Sequence, residues 1–197
     1  MTKIKFSATL LLGILFGGTI LAYSFIQPFH SNAVCEAIPE RASFVFMANS
    51  LDELLQSPVC SQLDKALGAG NSLKELMASN DWKKLAAASE IAVADIPFRS
   101  AGRQKTWAAV SWVGWRSPWL RWKLEHSRNK NLKLLGKHAV WPVWQYDSPE
   151  LARGMSLTFA LTDNLFLACL SESPTDILLL LDTYDKRAPA HTQGNQP

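Results

Sequence analysis

An uncharged stretch runs unbroken from Phe6 to Ile26, and it constrains this chain more than anything downstream. As a helix its 21 residues would span about 30 Å, the thickness of the hydrocarbon core of a bilayer. Lys3 and Lys5 precede it, while Pro28 and a polar run to Asn32 follow it. Cations before a span and none directly after it keep the amino terminus in the cytoplasm and send the remainder out. The sequence therefore predicts a membrane address with the body outside the cytoplasm, and two forms of it stay open. A retained single-pass anchor over residues 1–33 is favoured because the run exceeds the ~7–15 apolar residues of a cleavable signal. The alternative is cleavage near Ala33, at the small-x-small run Ser31-Asn32-Ala33, leaving a secreted or periplasmic body. Thr9, Gly13 and Gly17 recur every four residues, a spacing that lets two spanning helices approach closely, so a homodimer through the span is a further expectation.

Residues 34–187 have the length of one domain with a real core, and the polar tail 188–197 has the composition of a disordered end. The formal charge of +3 falls to near +1 without the two leading lysines, which argues against nucleic acid as a partner. Three cysteines in an exported chain allow one disulfide. Cys35 and Cys60 are the expected pair, since both lie in the first strand-helix unit, whereas Cys169 sits inside an apolar strand as an inert buried thiol.

Ala42 to Ala48 reads as a buried strand, and Ser50 with Glu53 forms a capping box that opens a helix. That helix should run in two pieces around Pro58 to Leu67, and a second helical region should span Leu73 to Ala88. Leu54, Leu55, Leu63, Leu67, Leu76 and Leu85 are the candidate core of these helices. Strands are expected over Ile91–Phe98, Thr106–Trp115, Leu120–His126 and Val140–Tyr146. Met155–Leu161 and Leu165–Leu170 form the clearest hairpin, joined by Thr162-Asp163-Asn164, residue types that tolerate tight reversals. Ser173-Pro174-Thr175-Asp176 then opens a helix whose Ile177–Leu181 run is apolar on more than one face. Together these elements predict an α+β domain, a curved antiparallel sheet with helices packed on it.

The opening Ala37-Ile38-Pro39-Glu40-Arg41-Ala42-Ser43-Phe44-Val45-Phe46, followed by Leu51-Asp52-Glu53-Leu54-Leu55, resembles bacterial exported, membrane-anchored proteins of domain-of-unknown-function family 3352. The closing Leu157–Leu161, polar turn, Leu165–Leu170 and Ser173-Pro174 helix are similar to that family as well. The likeness covers about a quarter of the chain, at the two ends of the domain. It implies an envelope location and an α+β body, and supplies no activity or functional residues.

Between Arg99 and Lys137 stand ten lysines and arginines against Glu125 alone, together with five of the eight tryptophans. Indoles beside arginines mark surfaces that meet membrane interfaces, sugars or anions. Trp115, Arg116, Trp119, Arg121, Trp122 and Lys123 are the candidate surface for an anionic lipid, an acidic glycan or an envelope protein. The competing reading is a core sheet with inward tryptophans and outward cations. Trp112 and Trp107 differ in strand parity, so both faces of the strand should carry an indole, which excludes an arrangement with every tryptophan inward. His30, His126, His138 and His191 lack metal-ligand spacing, and no nucleophile, zinc or phosphate-loop motif occurs. No catalytic, cofactor or metal residue is assigned. The expected function is a non-catalytic, membrane-tethered extracytoplasmic binding module of the bacterial envelope. The alternatives are an envelope enzyme, which a pocket joining His126 or His138 to two carboxylates would favour, and a structural subunit of a membrane complex, which an exposed leucine face on the last helix would favour.

Overall fold

A seven-stranded antiparallel sheet organises the computed structural model, which describes residues 33–67, 90–97, 106–147, 151 and 154–187. All of them belong to one unit, Ser31–Pro197. The segment 6–26, the helical region expected over 73–88 and the tail from 188 lie outside the described residues. Among the described residues no helix is long and apolar enough to cross a membrane.

The strands are β1 (Phe44–Ala48), β2 (Ile91–Ile96), β3 (Thr106–Trp112), β4 (Leu132–His138), β5 (Trp141–Tyr146), β6 (Ser156–Leu161) and β7 (Leu165–Ser171). Their spatial order is β1-β2-β3-β7-β6-β5-β4. Two meanders, β1 to β3 and β4 to β7, therefore meet along the β3–β7 ladder, where Val110 faces Leu167 and Ala108 faces Cys169.

Helices cover both faces. The short helix α1 (Ala33–Glu36) and the last helix α5 (Ile177–Arg187) lie on one side. There Val34, Ala37, Ile177, Leu180 and Leu181 pack on Ala92, Val110, Val143 and Leu167. On the other side α2 (Leu51–Gln56) and α3 (Pro58–Leu67) bury Leu51, Leu54 and Leu63 against Val93, Trp107 and Leu170. Beside them α4 (Ser117–Glu125) buries Leu120 and Leu124 against Trp144, Phe159 and Leu161. This arrangement buries strand tryptophans of either parity. Trp107 packs on the α2 side and Trp112 against the α1 and α5 side, so the two-faced spacing of indoles reflects a sheet sandwiched between helices.

Local signals explain most element boundaries. Ser50 Oγ accepts from the Glu53 backbone amide at 3.2 Å, and Glu53 Oε2 accepts from the Asn49 amide at 2.7 Å. This reciprocal capping starts α2. Pro58 begins α3 after a one-residue break at Ser57. Thr162 closes the β6–β7 turn, with its amide donating to the Leu165 carbonyl at 3.0 Å and its Oγ1 accepting from the Leu165 amide at 3.0 Å. A short 3-10 turn, Pro174–Asp176, leads into α5. The leucine run there is absorbed within the domain: Leu180 and Leu181 are fully buried, while Leu178 and Leu179 pack at the margin of the same cluster.

Four expectations are corrected. Residues 42–48, read as a buried strand, hold the edge strand β1, whose Phe44, Val45 and Met47 are each 44% exposed because only one neighbouring strand covers them. Residues 120–126, read as a strand, form α4, because Ser117-Pro118 starts a helix there as Ser173-Pro174 does later. A strand unforeseen in the sequence, β4, occupies the outer edge beyond β5. The expected Cys35–Cys60 bridge is not formed, and none of the three cysteines is in a disulfide. Cys35 follows Val34 on the α1 side, with Sγ 3.4 Å from Met47 Sδ, whereas Cys60 lies on α3. The chain passes through the sheet as β1 between them, which places the two thiols on opposite faces.

Candidate functional site

The candidate surface is carried by α4, and its attachment to the domain is local and polar. Val113 and Gly114 both donate their amides to the Asn164 carbonyl, at 2.8 and 3.0 Å. Ser117 Oγ donates to the Thr162 carbonyl at 2.6 Å. These bonds hold the start of α4 against the β6–β7 turn. Gly114 adopts φ +50°, and a Cβ there would meet Trp112 Nε1 at 3.0 Å, so this entry to α4 is built for glycine.

Helical periodicity then sorts the site residues. Leu120 and Leu124 point inward, so Trp119 and Trp122, one turn apart on the opposite side, project away from the domain. They are 49% and 58% exposed, which makes them the two tryptophans prominent among the exposed large apolar residues. Lys123 Nζ lies 5.2 Å from the centre of the Trp119 ring, a cation–π contact. Trp122 stacks on His126 with ring centres 4.9 Å apart. Arg121 is half-buried on one flank, with Nη2 donating to the Leu161 carbonyl at 3.5 Å. Trp115 and Arg116 belong to the 3-10 turn Gly114–Arg116 that precedes α4. The six candidates thus fall on one continuous turn and helix.

A cavity of about 190 Å³ opens on the Arg121 flank, lined by Ser117, Pro118, Arg121, Trp122, Glu125 and Asp163. Its two carboxylates therefore lie between α4 and the β6–β7 turn, to one side of the outward stripe. Neither His126 nor His138 lines it. His138 Nε2 instead pairs with Asp182 Oδ1 at 2.8 Å, and Trp141 Nε1 donates to Asp185 at 3.0 Å. These contacts tie α5 to the β4–β5 hairpin. Among the described residues no group of three or more metal-ligating side chains could hold a metal ion.

The cysteine thiols differ in protection, Cys35 being half-buried and Cys60 and Cys169 buried. Burial in the sheet, reinforced by Asp176 and partly offset by a hydrogen bond with Ser171, pushes the Cys169 thiol up to about 12. The folded state holds this proton more tightly than the unfolded chain, so its stabilising contribution is complete below the ordinary thiol value of 9.0 and is lost as pH rises toward 12. Urea melts on either side of pH 9 should show a steeper alkaline loss in the native chain than in Cys169→Ala. With iodoacetamide on the folded protein, half-exposed Cys35 should label first and Cys169 last, with mass spectrometry of the peptides as the readout.

No family model and no curated protein matches the chain. A solved structure described as a GTP binding regulator from Thermotoga maritima is similar over 79% of this chain and 86% of its own, at 9% identity and a TM-score of 0.39. A likeness that loose carries no argument about function. The chain folds as an α+β domain, an antiparallel sheet between two helical layers, that presents an aromatic and basic helix.

Proposed function

We propose that this chain is a membrane-tethered extracytoplasmic module of the bacterial envelope that binds an anionic partner through α4 and is not an enzyme. The observation that supports it most is the exposure of Trp119 and Trp122 on a helix whose other face is fully engaged with the core. Large aromatic side chains held out of a core, with cationic groups on the same helix, are the chemistry of a binding face. The apolar stretch before the domain supplies the tether, and the resemblance to exported proteins of family 3352 accords with that location.

Location is tested by fractionating cells and adding protease to the outer face of the inner membrane. The body should sediment with membranes and be cleaved from outside. A body that is soluble, or shielded in the cytoplasm, overturns the tethered reading. Binding is tested by following the tryptophan emission of the full chain as a soluble acidic polysaccharide is added. Emission should change at low salt and revert at high salt, since exposed charges are screened over about 8 Å at physiological ionic strength.

A further inference from the structure

The charge and apolar surface of the α4 side extend beyond the helix, onto the edge of the sheet. From Arg116 to Lys137 the chain carries seven cationic side chains and one anionic, Glu125. Glu125 and Asp163 line the flank cavity beside Arg121 and one edge of Trp122, so the carboxylates border the outward stripe on that flank, while Trp119 and Lys123 lie outside the cavity lining. Edge strand β4 runs on from α4. Its Leu132 packs in the α4 cluster and its Leu134 pairs with Trp144, which places Leu134 on the α4 side of the sheet. Yet Leu134 is 57% exposed, and Leu135, in the bulge between Leu134 and Gly136, is 48% exposed. Lys133 and Lys137 flank this pair and are exposed as well, Lys133 with its Nζ 3.4 Å from Asp147 Oδ2. Of the eight exposed large apolar residues among those described, three lie on β1; the other five fall between Trp119 and Val140, inside or directly beside the cationic segment.

We infer that α4 and edge strand β4 together form a docking face for the surface of an anionic phospholipid bilayer. The inference rests on the anionic-partner reading above and narrows it to one partner. Three observations favour a bilayer over a soluble acidic polymer. First, the exposed groups are mixed: indoles that prefer the headgroup layer, leucines that prefer the acyl boundary, and cations that meet lipid phosphate. A polymer of acidic sugars offers nothing to Leu134 and Leu135. Second, the cationic groups are spread over a helix and a strand rather than gathered in a pocket, which matches a surface charge better than a discrete ligand. Third, the cavity beside α4 sets two carboxylates, Glu125 and Asp163, against one cation, Arg121, which disfavours an acidic chain end there.

The test uses the full chain reconstituted into vesicles carrying brominated lipid, either with anionic phosphatidylglycerol or with zwitterionic lipid alone. Bromine quenches indoles that sit in the bilayer surface. Tryptophan emission should be quenched in the anionic vesicles and much less in the zwitterionic ones, and high salt should restore it. Trp119→Ala/Trp122→Ala should lose a large part of that quenching, because Trp107, Trp141 and Trp144 are buried in the domain and Trp112 packs against its core. Lys123→Glu/Lys130→Glu retains every indole and should weaken docking on the order of tenfold or more, which appears as loss of quenching at unchanged near-ultraviolet circular dichroism. Leu134→Ser should reduce quenching without changing its salt dependence. Equal quenching in native and double-tryptophan chains, or in both vesicle types, overturns the bilayer inference. If emission responds to the soluble acidic polysaccharide while lipid bromine has no effect, the anionic-partner reading survives and the bilayer is the wrong partner. If neither responds, both readings fail.

Discussion

Truncating Trp144 to alanine should lower the free energy of unfolding by about 3–5 kcal/mol. Trp144 sits on β5 at 2% exposure, pairs with Phe159 across β6 and with Leu134 across β4, and shares its cluster with Leu120 and Leu124 of α4. Alanine there leaves a space that neighbours on three elements cannot close together. The expected record is a urea midpoint shifted far down with an unchanged slope. The same variant should also loosen α4, whose inward leucines lose their largest partner. Amide exchange in residues 117–125 should therefore accelerate more than exchange in α5, which packs on the opposite face. Equal acceleration in both helices would mean that the two faces of the sheet are not independent.

Leu167→Asp should abolish folding, whereas Leu135→Asp should leave stability nearly unchanged. Both put a carboxylate on a strand in place of leucine, and only the surroundings differ. Leu167 lies at 0% exposure on β7, between Val110 of β3 and Ala160 of β6, under α5. A charge there has neither water nor a cation, a cost of several kcal/mol that exceeds the margin of a typical domain. Leu135 lies in an exposed bulge on the edge strand. Far-ultraviolet circular dichroism and limited proteolysis decide the comparison. A native spectrum for Leu167→Asp would show that the β3–β7 seam is not the centre of the sheet.

The ends of the domain were legible because their signals are local. Ser50 with Glu53, Pro58, the Thr162-Asp163-Asn164 turn and Ser173-Pro174 each fix a boundary through bonds to residues two to four positions away. The middle failed where two periods coincide. In residues 120–125 leucine or tryptophan alternates with arginine, lysine or glutamate, the pattern of a strand, yet Leu120 and Leu124 are also one helical turn apart. The helix prevails because Ser117-Pro118 starts it and because Trp144, Phe159 and Leu161 offer those two leucines a shared bed. Strand β4 was hidden for the converse reason. Its bulge at Leu135 shifts the register between Leu134 and Gly136, and so breaks the two-residue alternation that marks a strand. The cysteine pairing could not be read either, since nearness in sequence does not reveal that a strand separates the two thiols. The tryptophan and cation composition of the candidate surface was visible from the start. Which indoles would remain outside was not, because that depends on both faces of the sheet being covered.

The strand made last is the one that the sheet needs in its middle. As the chain emerges from its amino terminus, β1, β2 and β3 can pair in sequence, but the outer ladder of β3 stays bare until β7 arrives. In the meantime the chain crosses to the far edge, lays down β4, and returns strand by strand. The two meanders are thus separately buildable and jointly useless until a ladder between residues about sixty apart, such as Trp107 and Leu170, closes them together. Long-range closure of this kind is slow compared with hairpin formation. A chain delivered from its amino terminus therefore carries an open β3 edge until β7 follows, and the ladder that closes the sheet is the one that has to wait longest.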